Sequence, residues 1–283
     1  MRVSIIIPTL NAGAYMEKLF SMLQAQDIKF LEVIIIDSSS IDNTVDIAKG
    51  FGAKTIVIPR HTFNHGKTRN MAAMEAQGDI LVFMTQDALP QDNKLLRKLT
   101  APLKMSDIAA TYGRHIPMPG ASPLEIFARE FSYPDTGSIK GIEDIKQYGI
   151  KTFRFSNVCS AIKKELFLKA GMFPNGIRAN EDMLMAAKLI LNGYKVTYVP
   201  DAKVIHSHNY SLLQQFRRYY NIGSSLRNNS WILKYVRAEG EGISFIKGQI
   251  SFVLKRHKYF WIPYIFLESM TKYVGYRIGL ITG

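Results

Sequence analysis

The chain has 283 residues, of which 47% are hydrophobic and 21% charged, a balance that is typical of a folded globular protein and excludes dominant disorder. This length suits one large α/β domain with an extension, or two small domains. The single cysteine, Cys159, excludes an intrachain disulfide and fits a reducing compartment. The opening run MRVSIIIPTL breaks at Pro8 and Asn11, too early for a secretory signal, and no stretch of about 20 apolar residues could span a bilayer. We therefore expect a cytoplasmic protein.

The net charge of +13 is concentrated near the C-terminus, because twelve Lys and Arg but only three Asp and Glu lie between residue 203 and the end. A basic region of this kind indicates an anionic partner, such as a phosphate-bearing substrate, anionic lipid or nucleic acid. For any single Lys or Arg, a solvated basic surface is an equally good interpretation.

Four short runs in the first half predict strands at residues 3–7, 33–36, 55–58 and 80–84. The runs at 3–7, 33–36 and 80–84 are continuous and apolar, which suits strands buried in a sheet. Amphipathic segments between them predict helices. Asn11 is the expected cap of the first, Asp42 or Asn43 opens the second, and the third spans 67–77 before the stop signal Gly78. Three repeats of strand and helix predict a mostly parallel sheet with helices on its faces.

The second half is more varied. We expect a long, partly irregular insert at 117–150, a strand at 158–162, helices at 164–170 and 180–191, and short strands at 196–199 and 204–205. From Ser211 onward the pattern predicts basic, amphipathic helices. The predicted organisation is a catalytic domain at 1–210 and a helical C-terminal region at 211–283.

Ligands of parallel α/β sheets bind outside the carboxyl ends of the strands, which here carry the polar stretches Pro8–Asn11, Asp37–Asp42 and Thr85–Asp87. Asp87 follows a buried strand and is placed to bind a hard divalent cation, although a lone Asp there is more often a turn residue or cap. Asp37 could accept a hydrogen bond from the imide N–H of uracil or thymine, or close an Asx-turn.

Residues 65–70, with the sequence HGKTRN, open a helix whose free N–H groups would favour a phosphate. The positive charge of Arg69 is unfavourable at a helix N-terminus, which favours a functional role for this residue.

Glu181 and Asp182 begin a later helix, where acidic residues are stabilised by the dipole without any further role. The functional interpretation is a general base that takes the proton of an attacking hydroxyl. His206 and His208 follow a short strand and project from the same face, so either could bind a metal or a phosphate.

Together these motifs resemble the family 2 glycosyltransferases with the GT-A fold, from Met1 to about Gly223. The resemblance rests on VSIIIPTLNAG, VIIIDSSSIDNT, and Gly66, Arg69 and Asn70 of a shortened G-x-x-x-A-R-N pattern. It implies a Rossmann-like, mostly parallel sheet flanked by helices, with the nucleotide-sugar site in about 1–115 and the acceptor side in about 116–210.

Most members of that family carry D-x-D where this chain has Thr85-Gln86-Asp87, so Thr85 replaces the first acid. The form TQDA is similar to bacterial rhamnosyltransferases of the family, as are FSYP, NEDMLMAAKLILNGYKVTYVP, HSHNYSLLQQFRRYYNIG and AEGEG. The resemblance implies dTDP-L-rhamnose as donor and a hydroxyl of a glycan or lipid-linked glycan as acceptor, in the synthesis of a cell-surface polysaccharide.

The resemblance also implies site roles. Asp182 is the expected catalytic base and Glu181 its supporting neighbour. A divalent cation, Mn²⁺ or Mg²⁺, is expected on Asp87 and His208, with His206 the less favoured ligand. The expected donor-binding residues are Pro8, Thr9, Asn11, Asp37, Ser39, Gly66, Arg69, Gln86 and Asp87.

The basic C-terminal region interleaves Lys and Arg, including Arg237, with aromatic residues such as Trp231 and Trp261. Such helices can lie on an anionic membrane, where a lipid-diphosphate acceptor would be found, so we expect peripheral association with the inner face of the cell membrane. Packing of the region on its own domain, or on a second subunit in a homodimer, is the other interpretation.

Three other functions each fit part of the sequence. A nucleic-acid-binding module fits the pI of about 9.7, but it leaves Asp37, Asp87 and the acidic pair unexplained and lacks a recognisable motif. No nucleic acid is therefore expected as a partner. A dinucleotide-dependent oxidoreductase is disfavoured because PTLNAG, and not G-x-G-x-x-G, follows the first strand. A family 2 enzyme that uses a UDP-hexose stays open.

Overall fold

A nine-stranded sheet forms the centre of the fold in the computed structural model, which describes residues 1–236 and 242–283. Its strands are β1 (Val3–Thr9), β2 (Glu32–Asp37), β3 (Lys54–Val57), β4 (Ile80–Met84), β5 (Leu89–Pro90), β6 (Ile108–Ile116), β7 (Ser138–Lys140), β8 (Cys159–Lys163) and β9 (Lys195–Ile205).

The α-helices of the described residues are α1 (Gly13–Gln24), α2 (Thr44–Gly50), α3 (His65–Glu75), α4 (Leu95–Thr100), α5 (Pro123–Ser132), α6 (Ile145–Tyr148), α7 (Lys164–Lys169), α8 (Glu181–Leu191), α9 (Leu212–Asn228), α10 (Gly242–Lys255) and α11 (Ile262–Thr282). Short 3-10 helices span Arg60–Thr62, Ala101–Lys104, Ile142–Asp144, Gly149–Phe153, Ser230–Lys234 and Tyr259–Trp261. Within the described ranges, no helix is both long and apolar enough to cross a membrane.

The strand order is β3-β2-β1-β4-β8-β6-β9-β5, and β7 also pairs with β9. Strands β1 to β4 are mutually parallel, β8 is antiparallel to both β4 and β6, and β6 is parallel to β9. The carboxyl ends of β1, β2, β4, β6 and β9 therefore share one edge of the sheet with the beginning of β8. The predicted α/β class and its mostly parallel sheet are confirmed.

Both faces of the sheet are buried at β1, β2 and β4, as the continuous apolar runs predicted. On one face, Ile6, Ile34 and Phe83 join a core cluster with helices α3, α7 and α8. On the other, Ile5 and Ile35 join a cluster with α1 and α4. Alternate residues of a single strand thus pack into two different core clusters, so each strand is held from both faces of the sheet.

The structure differs from the sequence interpretation in the second half. Strand β6 was not predicted, because its run IAATYGRHI has no long apolar stretch. The insert at 117–150 contains α5, which Ser122 caps by accepting from the Glu125 N–H, with Pro123 at the first helical position. The two short strands at 196–199 and 204–205 are one strand, β9, interrupted by a bulge opposite Gly113 and Arg114.

The C-terminal helices pack on one another and on α5. Helices α9 and α11 approach closely because glycines face the opposite backbone. A Cβ on Gly279 would lie 2.1 Å from the carbonyl oxygen of Tyr220. Phe127 of α5 packs edge-on against Phe252 of α10, with ring centroids 5.5 Å apart. Arg237 and most of AEGEG lie outside the described residues, and the domain boundary near residue 210 stays a prediction.

Candidate active site

Asp87 and two histidines meet at the carboxyl edge of the sheet. Strand β5 begins two residues after Asp87 and pairs antiparallel with the end of β9, with Leu89 opposite Ile205. This pairing brings the segment after β4 against the segment after β9. Oδ1 of Asp87 lies 3.2 Å from Nδ1 of His206, and Oδ2 lies 3.1 Å from Nε2 of His208.

These three side chains fit a divalent cation. One ligand atom from each lies within 4.8 Å of the others, and no other such group of His, Cys, Asp and Glu occurs in residues 1–236 and 242–283. Nδ1 of His206 is buried and has no hydrogen bond of good geometry, so its lone pair is available to a metal. The sequence favoured His208 over His206, whereas the structure places both beside Asp87.

The protonation of the cluster also suits a metal. Burial alone would raise the pKa of Asp87, but the adjoining His206 and His208 outweigh it and hold that pKa well below its usual range. Burial lowers the pKa of His206, against the opposing effect of Asp87. A carboxylate and a neutral imidazole are the forms that bind metals.

A second layer of residues, which the sequence did not indicate, supports the histidines. Glu125 Oε1 accepts from Nε of Arg129 at 2.6 Å and from the backbone N–H of His208 at 3.3 Å. Nη1 of Arg129 donates to Nδ1 of the buried His115 at 3.3 Å. The His115 ring stacks on Tyr133 at 3.8 Å between centroids. The pattern S-x-x-E at the start of α5 would have predicted this helix, but not these contacts.

The acidic pair lies at the same edge, at the start of α8. Glu181 is buried, and its Oε1 accepts from Nη1 of Arg69 and from Nδ2 of Asn157, both at 3.3 Å. Asp182 accepts from the backbone N–H of Asn157 at 3.3 Å. Asn157 therefore links both acids. The sequence analysis missed this residue, because it precedes the antiparallel strand β8 and reaches the edge only through that reversed direction.

The environment of Asp182 suits a general base. Burial and the neighbouring charge of Glu181 raise the pKa of Asp182 to about 7. A carboxyl group with a pKa near neutrality can take a proton and release it again under ordinary conditions.

Asp37, the last residue of β2, is fully buried and organises the neighbouring loops. Its Oδ1 accepts from the hydroxyls of Thr9, at 2.8 Å, and Ser40, at 2.6 Å, while Oδ2 accepts from the Ser40 N–H at 2.8 Å. Gln86 holds the loop after β1, because its amide exchanges hydrogen bonds of 2.8 and 3.2 Å with the backbone of Leu10. Base binding by Asp37 stays a prediction.

Two loop residues adopt positive φ angles: Asn11, at 48°, follows β1, and Ser39, at 58°, follows the adjacent strand β2. Both are exposed at the edge where the sequence predicts donor binding. The expectation that Asn11 caps α1 was wrong, because its Oδ1 accepts from Ile41. The N–H groups that begin α1 donate instead across the loops, from Ala12 to Thr44 Oγ1 and from Gly13 to Asp42 Oδ2.

The start of α3 also differs from expectation. Oδ1 of Asn64 accepts from the N–H groups of Gly66 and Lys67, so these two groups are not free for a phosphate. Gly66 packs against Pro174, whose carbonyl oxygen would lie 2.3 Å from an added Cβ. Arg69 points to the acidic pair and contacts Glu181. The donor-binding roles of Gly66 and Arg69 stay predictions.

The chain is similar to known proteins along most of its length. Residues 4–170 match the family described as Glycosyl transferase family 2. The O-antigen chain rhamnosyltransferase WbaN of Salmonella anatum is 41% identical over 98% of this chain and 88% of its own length. The O-antigen chain rhamnosyltransferase RfbN of Salmonella typhimurium is 39% identical over 99% and 90%.

Solved structures share the fold at lower identity. The mannosyltransferase PcManGT from Pyrobaculum calidifontis, in complex with GDP-Man and Mn²⁺, superposes with a TM-score of 0.61 at 18% identity, covering 100% of this chain and 76% of its own. Residues 1–349 of TarS from S. aureus give 0.62 at 18% identity, with 99% and 90% coverage. This chain is a member of glycosyl transferase family 2.

Proposed function

We propose that the protein is an inverting rhamnosyltransferase that moves L-rhamnose from dTDP-L-rhamnose to a hydroxyl of a glycan acceptor. The proposed reaction is supported by one observation. The Asp87–His206–His208 cluster lies at the same sheet edge as Asp182, a carboxyl group whose pKa is raised. The donor follows from the nearly full-length similarity to two O-antigen chain rhamnosyltransferases. The same similarity supports a role in the synthesis of a surface polysaccharide.

Asp182 acts as the base. Its carboxylate takes the proton of the acceptor hydroxyl as that oxygen attacks the anomeric carbon from the face opposite the leaving diphosphate. Asn157 holds the Asp182 carboxylate from the backbone and orients Glu181 through its side chain. Arg69 supplies a positive charge to the pair, which keeps two neighbouring carboxyls compatible with burial.

Asp87, His206 and His208 are the proposed ligands of a divalent cation, which extends the predicted set by His206. A bound cation would neutralise charge on the leaving diphosphate as a Lewis acid. The mixture of one carboxylate and two imidazoles favours Mn²⁺ over Mg²⁺, because Mg²⁺ prefers oxygen ligands. Thr9, Gln86 and Asp37 shape the donor loops through the contacts described above.

We also propose that the protein works at the inner face of the membrane, on a lipid-linked glycan. The end of α10 and the turn that follows are exposed and combine Lys255, Arg256 and Lys258 with Tyr259 and Phe260. Helix α11 adds exposed apolar side chains at Phe266, Leu267, Met270, Tyr273 and Ile281. Such a surface suits an anionic bilayer. Flotation with vesicles that contain anionic lipid tests this; persistence of the protein as a homodimer without vesicle binding would contradict it.

The proposed transfer is tested by product analysis. With dTDP-L-rhamnose, Mn²⁺ and a lipid-linked or synthetic glycan acceptor, proton NMR should show a rhamnosyl product whose anomeric configuration is opposite to that of the donor. Retention of configuration would contradict the single displacement. The alternative is a UDP-sugar donor such as a UDP-hexose. It is supported by TarS, which shares the fold and was solved in complex with UDP-GlcNAc.

A further inference from the structure

A cavity of about 440 Å³ lies between the catalytic part of the chain and the C-terminal helices. One wall comes from α5 and residues 208–210, and the other from α9, the 3-10 helix Tyr259–Trp261 and α11. Its volume falls within the range of small-molecule sites, about 300–1,000 Å³. Because His208 lines it, the cavity shares a wall with the proposed metal cluster.

The cavity contains a buried hydrogen-bond acceptor without a partner. Gln215 of α9 is 6% exposed, and its Nε2 donates to Oε1 of Glu268 at 3.0 Å. Oε1 of Gln215 has no hydrogen bond to any described residue. An unpaired buried carbonyl oxygen destabilises the fold, and a ligand hydroxyl in the cavity would relieve that cost.

Aromatic rings contribute to both walls of the cavity. Trp261 and Tyr264 lie 5.6 Å apart at an angle of 89°, and Tyr210 lines the opposite wall. Rings of this kind provide an apolar face with a polar edge. A flat, partly apolar molecule with hydroxyls at its rim matches them.

The charges inside the cavity are compensated by the protein itself. Glu125 pairs with Arg129 at 2.6 Å, and Glu268 pairs with Lys272 at 3.0 Å. The cavity therefore carries no unpaired cation that would select a phosphate, whereas the exposed Lys255, Arg256 and Lys258 lie in the neighbouring turn. This separation favours a neutral, polyhydroxylated ligand inside the cavity and anionic groups outside it.

We infer that this cavity binds the sugar units of the acceptor glycan next to the hydroxyl that reacts. The inference rests on the proposed function and extends the acceptor side beyond residues 116–210. Gln215, Trp261 and Tyr264 belong to the C-terminal region, which thereby completes the acceptor site. Gln215 accepts from a sugar hydroxyl, while the rings of Trp261 and Tyr264 pack on the carbon face of the sugar.

Ligand-observed saturation-transfer NMR on the full chain tests the inference with p-nitrophenyl glycosides of galactose, glucose, mannose, rhamnose and N-acetylglucosamine. At least one glycoside should bind through its sugar protons. Gln215→Leu, which removes the acceptor at similar volume, should weaken that binding about fivefold or more. Trp261→Ala, at a partly exposed position, should weaken it independently. Tyr235→Ala, an exposed aromatic of the same region outside the cavity, serves as the matched control and should bind like the wild type.

Hydrolysis of dTDP-L-rhamnose without acceptor separates this inference from the proposed function, because Gln215→Leu and Trp261→Ala should leave that rate within about twofold. If no glycoside binds, or both variants bind as the wild type does, the acceptor cavity is wrong even when donor hydrolysis proceeds. If glycosides bind as expected but the wild type hydrolyses no dTDP-L-rhamnose, the donor assignment fails instead.

Discussion

The guanidinium of Arg69 and the carboxylate of Glu181 form a buried ion pair, with Nη1 and Oε1 3.3 Å apart and side chains 5% and 8% exposed. The pair connects α3 to the start of α8, and so fixes the acidic pair against the sheet edge. Because α3 begins at His65, Arg69 is its fifth residue and lies beyond the first turn, where the helix dipole most disfavours a positive charge. The partner is a carboxylate more than a hundred residues away.

Arg69→Met should destabilise the fold, because it leaves the Glu181 carboxylate buried without its cation. We expect the free energy of unfolding to fall by about 3–5 kcal/mol, measured by urea denaturation. Arg69→Lys keeps the charge and should lose less. An unchanged stability of Arg69→Met, accompanied by a weakened affinity for the donor, would instead assign Arg69 to the diphosphate.

Asp182→Asn should abolish transfer while donor binding persists. The variant keeps the shape of the side chain but cannot accept the hydroxyl proton, so kcat should fall about 10²- to 10⁴-fold. Transfer kinetics and calorimetric binding of dTDP-L-rhamnose measure the two effects separately. Asp46→Asn, an exposed carboxylate in the first turn of α2, is the matched control and should behave like the wild type. Normal transfer by Asp182→Asn would remove Asp182 as the base.

The rate of transfer should depend on pH through the same residue. Because the pKa of Asp182 is raised to about 7, its carboxylate form, and with it kcat/KM, should increase as pH rises and level off above about pH 8. The free energy of unfolding changes with pH in the opposite direction. A carboxyl with a raised pKa in the folded state favours folding at low pH, and that contribution is lost as pH rises from about 4 to about 7.

Asp182→Asn should therefore flatten the part of the pH–stability curve that Asp182 controls, and should be more stable than the wild type by about 1–2 kcal/mol at pH 8. Thermal or urea unfolding at pH 5 and pH 8 gives this comparison. A rate that is independent of pH between 5.5 and 8.5, with chemistry rate-limiting, would disagree with a base of this pKa.

Both histidines should contribute to metal binding. His206→Ala and His208→Ala should each weaken the affinity for Mn²⁺ about tenfold or more, as measured by electron paramagnetic resonance of free Mn²⁺. His61→Ala, an exposed histidine on the 3-10 helix Arg60–Thr62, provides the control. Loss of Mn²⁺ binding in only one of the two variants would reduce the ligand set to Asp87 and that histidine.

The sequence predicts the parallel half of the sheet well, because runs such as those around Ile6 and Ile35 carry the burial of both faces in their composition. It also locates Asp87 and Asp182 at strand or helix ends. It could not predict that β5 joins β9, which is what places His206 beside Asp87, because a two-residue strand leaves no periodic pattern.

Other site features depend on contacts between distant segments. Asn157 reaches the acidic pair only because β8 runs against its neighbours, a direction that its own residues do not encode. The sequence predicted free N–H groups at the start of α3 and a cap by Asn11 on α1. In the structure, Asn64 caps α3, and Thr44 and Asp42 accept from the N–H groups that begin α1. The cavity at Gln215 depends on how α9 and α11 lie relative to α5, which amphipathic patterns alone do not orient.

The most direct test of the central claim is a calorimetric comparison of donors. It would measure the binding of dTDP-L-rhamnose, dTDP-glucose, UDP-glucose, UDP-galactose and GDP-mannose, each with and without Mn²⁺, to the wild type and to Asp87→Ala. We predict tightest binding of dTDP-L-rhamnose, dependence of that binding on Mn²⁺, and its loss in Asp87→Ala. Tighter binding of a UDP-hexose would keep the family and contradict the rhamnosyl donor, and metal-independent binding of dTDP-L-rhamnose would contradict the role of Asp87.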